Sequence, residues 1–237
     1  MLLTRTVDGT TTLTLNRPER GNALGADLVE ALLAEVQLTS ADETVHTLVL
    51  AASGAHFCTG LDLSDLASCS DGDLLHRLVR IETLLAALWH APMHTVALAH
   101  GRTWGAGADL FAACELRVAS ADATFRFPGA QFGVVLGTRR LAERIGTDAA
   151  RRLVTTGAEL DTDAAARLGL VSAVGDPASA SWSRPKLSRE TAAAIRAASR
   201  ADHRDADLAA LVRSAAQPGL RDRISAYRER LRSTNKG

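Results

Sequence analysis

With 237 residues the chain is long enough for one large domain or two small ones, and for a real buried core. Its 27 basic and 27 acidic side chains cancel to a formal net charge of +0, so nothing in the charge balance points to nucleic acid or another polyanion. Three cysteines (Cys58, Cys69 and Cys114) without CxxC spacing argue against a disulfide framework or zinc cluster and for a reducing cytoplasm, and no apolar leader or run of about 18 apolar residues suggests export or a membrane span.

In chain order, the alternation in TTTLTLNRP predicts a strand with Leu13 and Leu15 on one face, stopped by Pro18. GADLVEALLAEVQ carries a helical stripe of Leu28, Leu32, Leu33 and Val36. HTLVLAAS is a continuous apolar run, which suits a strand buried on both faces. The loop GAHFCTGLDLSDL follows, then a long helix that ends before Pro92 and a second buried strand, HTVALAH. GADLFAACE reads as a helix, LRVAS as a strand, TDAARRLVTTG and TDAAARLGL as helices with Thr or Asp caps, and LVSAVG as a strand-like piece. The alternation of strand and helix predicts an α/β fold with βαβ crossovers and a parallel sheet. From about Ser188 the chain reads all-helical, and DPASASWSRP is the candidate linker. The expected organisation is a core over residues 1–187 and a helical region over residues 188–237.

Two buried strands each run into a small-residue turn and then a helix: FCTGLDL around Gly60 and GAGADL around Ala106. Such turns can leave backbone N–H groups pointing outward, and a helix N-terminus adds partial positive charge. Side by side, they would offer two donors to an oxygen that gains negative charge, and small side chains would let a substrate approach the backbone. The GxGxxG dinucleotide fingerprint is not satisfied, and the absence of a phosphate-loop lysine counts against a nucleotide enzyme.

Taken together, NRPERGNAL, FCTGLDL, HGRTWGAGADLF, ELRVASADATFRFPGAQFGVVLG, AARLGLVSAV and LRDRISAYRERLR resemble the crotonase superfamily, the enoyl-CoA hydratase/isomerase family, over almost the whole chain. The resemblance implies a spiral of ββα units with C-terminal helices that form a homotrimer or hexamer. It implies an acyl-coenzyme A substrate, coenzyme A present only as part of that substrate, no tightly bound cofactor, and no nucleic-acid or membrane partner. Carried over, the oxyanion donors are the N–H groups of Leu61 and Ala106. Ala106 stands where the family has glycine but keeps the donor. Arg20 and Ala23 of ERGNAL, with Asp62 and Leu63, are expected along the coenzyme A. Gly60, Gly105, Trp104 and Gly129 are expected around the acyl thioester.

A hydratase of this family uses two carboxylates. Asp109 occupies the first position, one methylene shorter than glutamate; at the second, Gly129 has no side chain. General acid–base work by each such group is worth about 10²–10⁴-fold, so two-carboxylate hydration is disfavoured. The leading reading is an enoyl-CoA hydratase/isomerase-like enzyme with Asp109 as the only retained acid–base group; the alternatives are a thioester-binding protein with little or no catalysis and a decarboxylase or C–C lyase relying on the oxyanion hole. Asp65 and Glu82 are expected to be solvated and Glu115 to point away from the site. His56 and His100 lack ligand spacing; His56 is expected to be exposed in the first loop, His100 to be a packed strand-end residue, and Cys58 a small core residue. Phe125, Phe127 and Phe132 are expected to form an apolar wall around Gly129.

Overall fold

A computed structural model describes residues 1–177, 179–180 and 187–234; the expected linker lies largely outside them. The chain opens with β1 (Leu2–Val7), which turns at Asp8 and Gly9 into β2 (Thr10–Leu15). Both turn residues have positive φ, 47° and 69°, the geometry that matches a two-residue turn to strand twist and favours an Asp-Gly pair. α1 (Ala26–Ala41) follows and buries the whole expected stripe, Leu28, Leu32, Leu33 and Val36. Next come β3 (Thr47–Ala52) and α2 (Asp71–Trp89). A capping box opens α2: Ser70 Oγ accepts from Asp73 N, and the Asp73 carboxylate accepts from Ser70 N.

β4 (His94–Ala99) leads through β5 (Arg102–Trp104) into α3 (Ala106–Ala113). β6 (Leu116–Ala119), β7 (Thr124–Arg126), α4 (Thr138–Ile145), α5 (Thr147–Thr156), β8 (Leu160–Asp161), α6 (Thr162–Arg167) and β9 (Ala173–Val174) complete the core. α7 (Arg189–Ser199), α8 (Arg204–Ala215) and α9 (Leu220–Thr234) follow.

The larger sheet runs β1-β2-β3-β4-β6-β9 and is parallel except for the β1–β2 hairpin. One face buries Leu13, Leu15, Leu48 and Leu50 in the main core, and the other buries Val49, Val96, Leu98 and Val118. That two-sided burial explains why β3 and β4 read as unbroken apolar runs. The smaller sheet, β5-β7-β8, carries one edge of the second glycine turn. α8 and α9 seat Leu211, Leu220 and Ile224 against Leu74 and Leu78 of α2. Among the described residues, no helix is long and apolar enough to cross a membrane.

The α/β class and the parallel order are as the sequence implies, and several details differ. β1 and α4 were not legible as elements: β1 is exposed along most of its length, and α4 buries only Arg140 and Leu141, so neither shows an apolar period. Thr147 does not cap α5; the N-cap there is Gly146, with no side-chain bond. α6 is capped one residue upstream of the expected start, by Asp161, whose Oδ1 accepts from Ala164 N.

Asn22 of the ERGNAL segment is fully buried, with φ 54°. Its Nδ2 donates to Ser53 O (2.9 Å) and His56 O (2.8 Å), and its Oδ1 accepts from Arg17 N (2.8 Å). One side chain thus fastens the segment after β2 to the loop after β3. Asn22→Ala leaves three part-buried backbone groups without their partner, so a loss of about 1–3 kcal/mol is expected in chemical denaturation, since water can reach the freed groups in part.

Candidate active site

The loop after β3 is stitched to β5: Cys58 N donates to Arg102 O (3.3 Å), and Trp104 N donates to Cys58 O (2.9 Å). Its other side pairs with Leu24, which donates to Gly60 O (2.7 Å) and accepts from Asp62 N (3.1 Å). In a parallel bridge of this kind the intervening residue turns its own N–H away, and Leu61 N has no hydrogen-bond partner among the described residues.

Gly60, at φ 96°, lies so close to the second turn that a Cβ there would fall 2.9 Å from Trp104 O and 3.4 Å from Ala106 N. Gly107 meets the first loop as tightly: a Cβ would fall 2.3 Å from Cys58 O. Only glycine permits these approaches. Gly105 donates to Arg126 O (2.7 Å) and forms the N-cap of α3. Ala106 opens the helix, where an N–H has no intrahelical acceptor, and it too has no partner among the described residues. The two turns therefore lie side by side, and each carries an amide without a partner among the described residues.

The two turns border a cavity of about 220 Å³. Gly60, Leu61, Leu63, Trp104, Gly105, Ala106, Asp109 and Gly129 all line it. Arg20, Ala23 and Asp62 do not line it: Arg20 is exposed on the turn Pro18–Arg20, and Ala23 is buried. Asp62 lies 3.2 Å from Arg17 and accepts from Ser64 N. Burial acts to raise the Asp62 carboxyl, but Ser64 and Arg17 outweigh it and hold it below the usual range. Trp104 both lines the cavity and packs, with its Nε1 donating to Thr124 Oγ1 (2.9 Å) and the Arg102 guanidinium 4.7 Å above its ring.

Asp109 is 6% exposed, and its Oδ1 has no partner among the described residues. Burial pushes its carboxyl well above the ordinary value; the cation of Arg140 opposes this and the charge of Glu82 adds to it. Gly137, at the start of α4, leaves the space this carboxyl occupies: a Cβ there would fall 2.1 Å from Oδ1. Across the cavity, Gly129 O accepts from Val134 N (2.9 Å), and a Cβ on Gly129 would meet Val134 O at 3.0 Å. A side chain at position 129 would require Val134 O to give by a few tenths of an ångström.

Several expectations need correction. Glu82 is not solvated: it is 2% exposed and ion-paired to Arg140. Phe125 does not wall the cavity; it is fully buried with its ring 5.0 Å from that of Phe111, leaving Phe127 and Phe132 as the aromatic lining near Gly129. His56 is half-buried, its Nδ1 accepting from Arg102 N (3.2 Å). As expected, Cys58 is a core residue, and burial pushes its thiol up to about 12. Glu115 does point elsewhere, to His94 and Arg196.

Sequence reading missed Leu78 of α2, Val154 of α5 and Tyr227, Arg228 and Leu231 of α9, all of which line the cavity. One signal was available: Tyr227 is the chain's only tyrosine, set within a strongly charged helix. Its ring lies 5.4 Å from that of Phe132, and Arg228 Nη1 donates to Leu63 O (3.0 Å).

A parallel sheet feeding two glycine turns into one helix-walled cavity defines the crotonase type of α/β fold. The chain belongs to the enoyl-CoA hydratase/isomerase family, whose profile it matches over residues 5–220. It is 37% identical over 174 residues to a probable enoyl-CoA hydratase of Mycobacterium leprae, covering 71% of this chain and 68% of that protein. The crystal structure of a candidate enoyl-CoA hydratase/isomerase from Bordetella parapertussis superposes with a TM-score of 0.90 at 43% identity, over 95% of this chain and 97% of the other. An enoyl-CoA hydratase/isomerase from Xanthobacter autotrophicus Py2 superposes with a TM-score of 0.81 at 25% identity, over 98% and 94%.

Because burial raises the folded-state value of Asp109, the folded chain keeps a proton that the unfolded chain releases above about pH 4. Stability from this group is therefore present in acid and falls as pH rises through the folded-state value. Asp109→Asn removes that loss. The variant is expected to melt higher than wild type at pH 7–8, by about 2–4 °C per kcal/mol relieved, and to lose the advantage below about pH 4 in calorimetry.

Proposed function

We propose that the cavity binds an acyl-coenzyme A thioester with its carbonyl oxygen between the N–H groups of Leu61 and Ala106, and that these donors stabilise the enolate formed when a proton leaves the adjacent carbon. The reading is supported by two adjacent glycine turns whose Leu61 and Ala106 both line a mainly apolar cavity and whose amides have no partner among the described residues. Donors already fixed in place need no reorganisation as negative charge develops. Asp109 lines the same cavity and is the group that exchanges the proton. Burial favours the neutral carboxyl, which makes the ionised form a stronger proton acceptor once it is formed.

Gly129 removes the second carboxylate, so the supported chemistry is single-carboxylate proton transfer of the isomerase kind rather than two-carboxylate addition of water. Coenzyme A enters only as part of the substrate, and the helical region over residues 188–237 serves a homo-oligomer. A second reading, a thioester-binding protein without turnover, is favoured by the same Gly129 and by an Asp109 held protonated.

Turnover of crotonyl- and 3-enoyl-coenzyme A by the wild type and by Asp109→Asn, with binding measured in parallel, decides between the two. Asp109→Asn is expected to lose about 10²–10⁴-fold in kcat with little change in Kd. If the wild type binds both thioesters and converts neither, the enzyme reading fails and the binding reading stands. Ala106→Pro tests the amide pair: position 106 is the first residue of α3, where proline is tolerated, so the variant keeps the helix and deletes one donor. A loss of about 10²–10³-fold in turnover is expected, and unchanged turnover would remove Ala106 from the site.

A further inference from the structure

Among the described residues five charged side chains are buried, and three of them meet behind the cavity wall: Asp109 on α3 (6% exposed), Glu82 on α2 (2%) and Arg140 on α4 (3%). Arg140 Nη2 donates to Glu82 Oε2, and its Nη1 lies 3.4 Å from Oδ2 of Asp207 on α8. Asp207 is shared, since its Oδ1 accepts from the more exposed Arg139 at 2.8 Å. Four polar atoms here have no partner among the described residues: Asp109 Oδ1, Glu82 Oε1, Arg140 Nε and Thr138 Oγ1. Among the described residues, the other arginines on the elements packed against α3 are engaged elsewhere: on α2, Arg77 pairs with Asp65 and Arg80 with Glu30. Arg139 turns to Asp207, Arg144 donates to Ala112 O and Cys114 O, and Arg102 lies over Trp104. Across the cavity, Arg126 donates to Gly157 O and Arg228 to Leu63 O.

With every group ionised, Asp109 and Glu82 would place two negative charges on one buried cation. A net buried charge of this kind is costly, and carboxyls avoid it by retaining a proton. Glu82 bonds Arg140 directly, and Asp109 does not. We propose that Glu82 and Arg140 are positioning residues for Asp109: the three groups hold one proton between them, and with the cavity empty that proton sits on Asp109. The pair thereby keeps Asp109 in its acid form in the free protein, so its own proton must leave before it can take one from a substrate, and α2 and α4 are drawn into the chemistry of α3. Burial pushes both carboxyls up and Arg140 opposes it in each, which fits a shared proton. Only the catalytic consequence rests on Asp109 being the acid–base group proposed above; the proton's location does not.

The test is a carboxyl ¹³C NMR titration of the full ligand-free chain, with the Asp109 signal assigned by its loss in Asp109→Asn. The wild-type midpoint is expected well above the ordinary aspartate range. Glu82→Gln unmasks the Arg140 cation and moves the midpoint down, whereas Arg140→Gln moves it up. Arg140→Lys, which keeps the charge, restores it toward wild type. Should Arg140→Gln not fold, Glu82→Gln against Arg140→Lys still decides, because Asp207 continues to pair with Arg140 when Glu82 is neutral. An Asp109 midpoint in the ordinary range, an unmoved midpoint in Glu82→Gln, or shifts of the same sign in Glu82→Gln and Arg140→Gln would overturn the proposal. No turnover is needed for this readout, so an inactive wild type would sink the enzyme reading and leave the shared proton standing.

Discussion

The site depends on two stretches of backbone lying closer than any side chain would allow. Gly60 rests against the carbonyl of Trp104, and Gly107 rests against that of Cys58. The contacts run both ways across the gap, so neither turn can move without the other. Their by-product is chemical: the hydrogen bonds that stitch the loops use Cys58, Gly60, Asp62 and Trp104 and pass over Leu61 and Ala106. The free donors are a consequence of how the chain is folded back, and no special side chain has to supply them.

α3 shows the same economy along its axis. Its C-terminal end is closed by arginines from two other elements: Arg144 bonds Ala112 O and Cys114 O, and Arg117 bonds Cys114 O. Burial there is severe enough to lower Arg144 to about 9 and Arg117 to about 10. Its N-terminal end is left without a side-chain cap and faces the cavity. Cations gather at the negative end of the helix dipole, and the positive end stays available for whatever enters.

The sequence carried the fold well where burial leaves a period. The stripe of α1, the two-sided runs of β3 and β4 and the small-residue turns at Gly60 and Ala106 were all visible, because each is a local pattern. The residues that line the cavity near those turns were legible through their resemblance to a family. The rest depends on pairing across distance. Glu82 looks like any polar residue on a helix, and only the arrival of Arg140, 58 residues later, shows that it is buried. α4 conceals itself for the same reason, since its inward face includes a charged residue. Phe125 sits two residues before Phe127 and three before Pro128 in sequence, but strand pairing with Trp104's neighbour Thr103 turns it into the core instead of the cavity.

The wall contributed by α9 has a consequence for how the molecule is made. Arg228 reaches Leu63 across 165 residues of chain. At a synthesis rate of about 5–20 residues per second, about 8–33 s separate the emergence of those two partners from the ribosome. In the later part of that interval, after Phe132 has emerged and before Arg228 does, Leu78 and Phe132 have no α9 to cover them. The apolar side of the cavity formed by Leu78 and Phe132 can therefore close only after α9 has emerged.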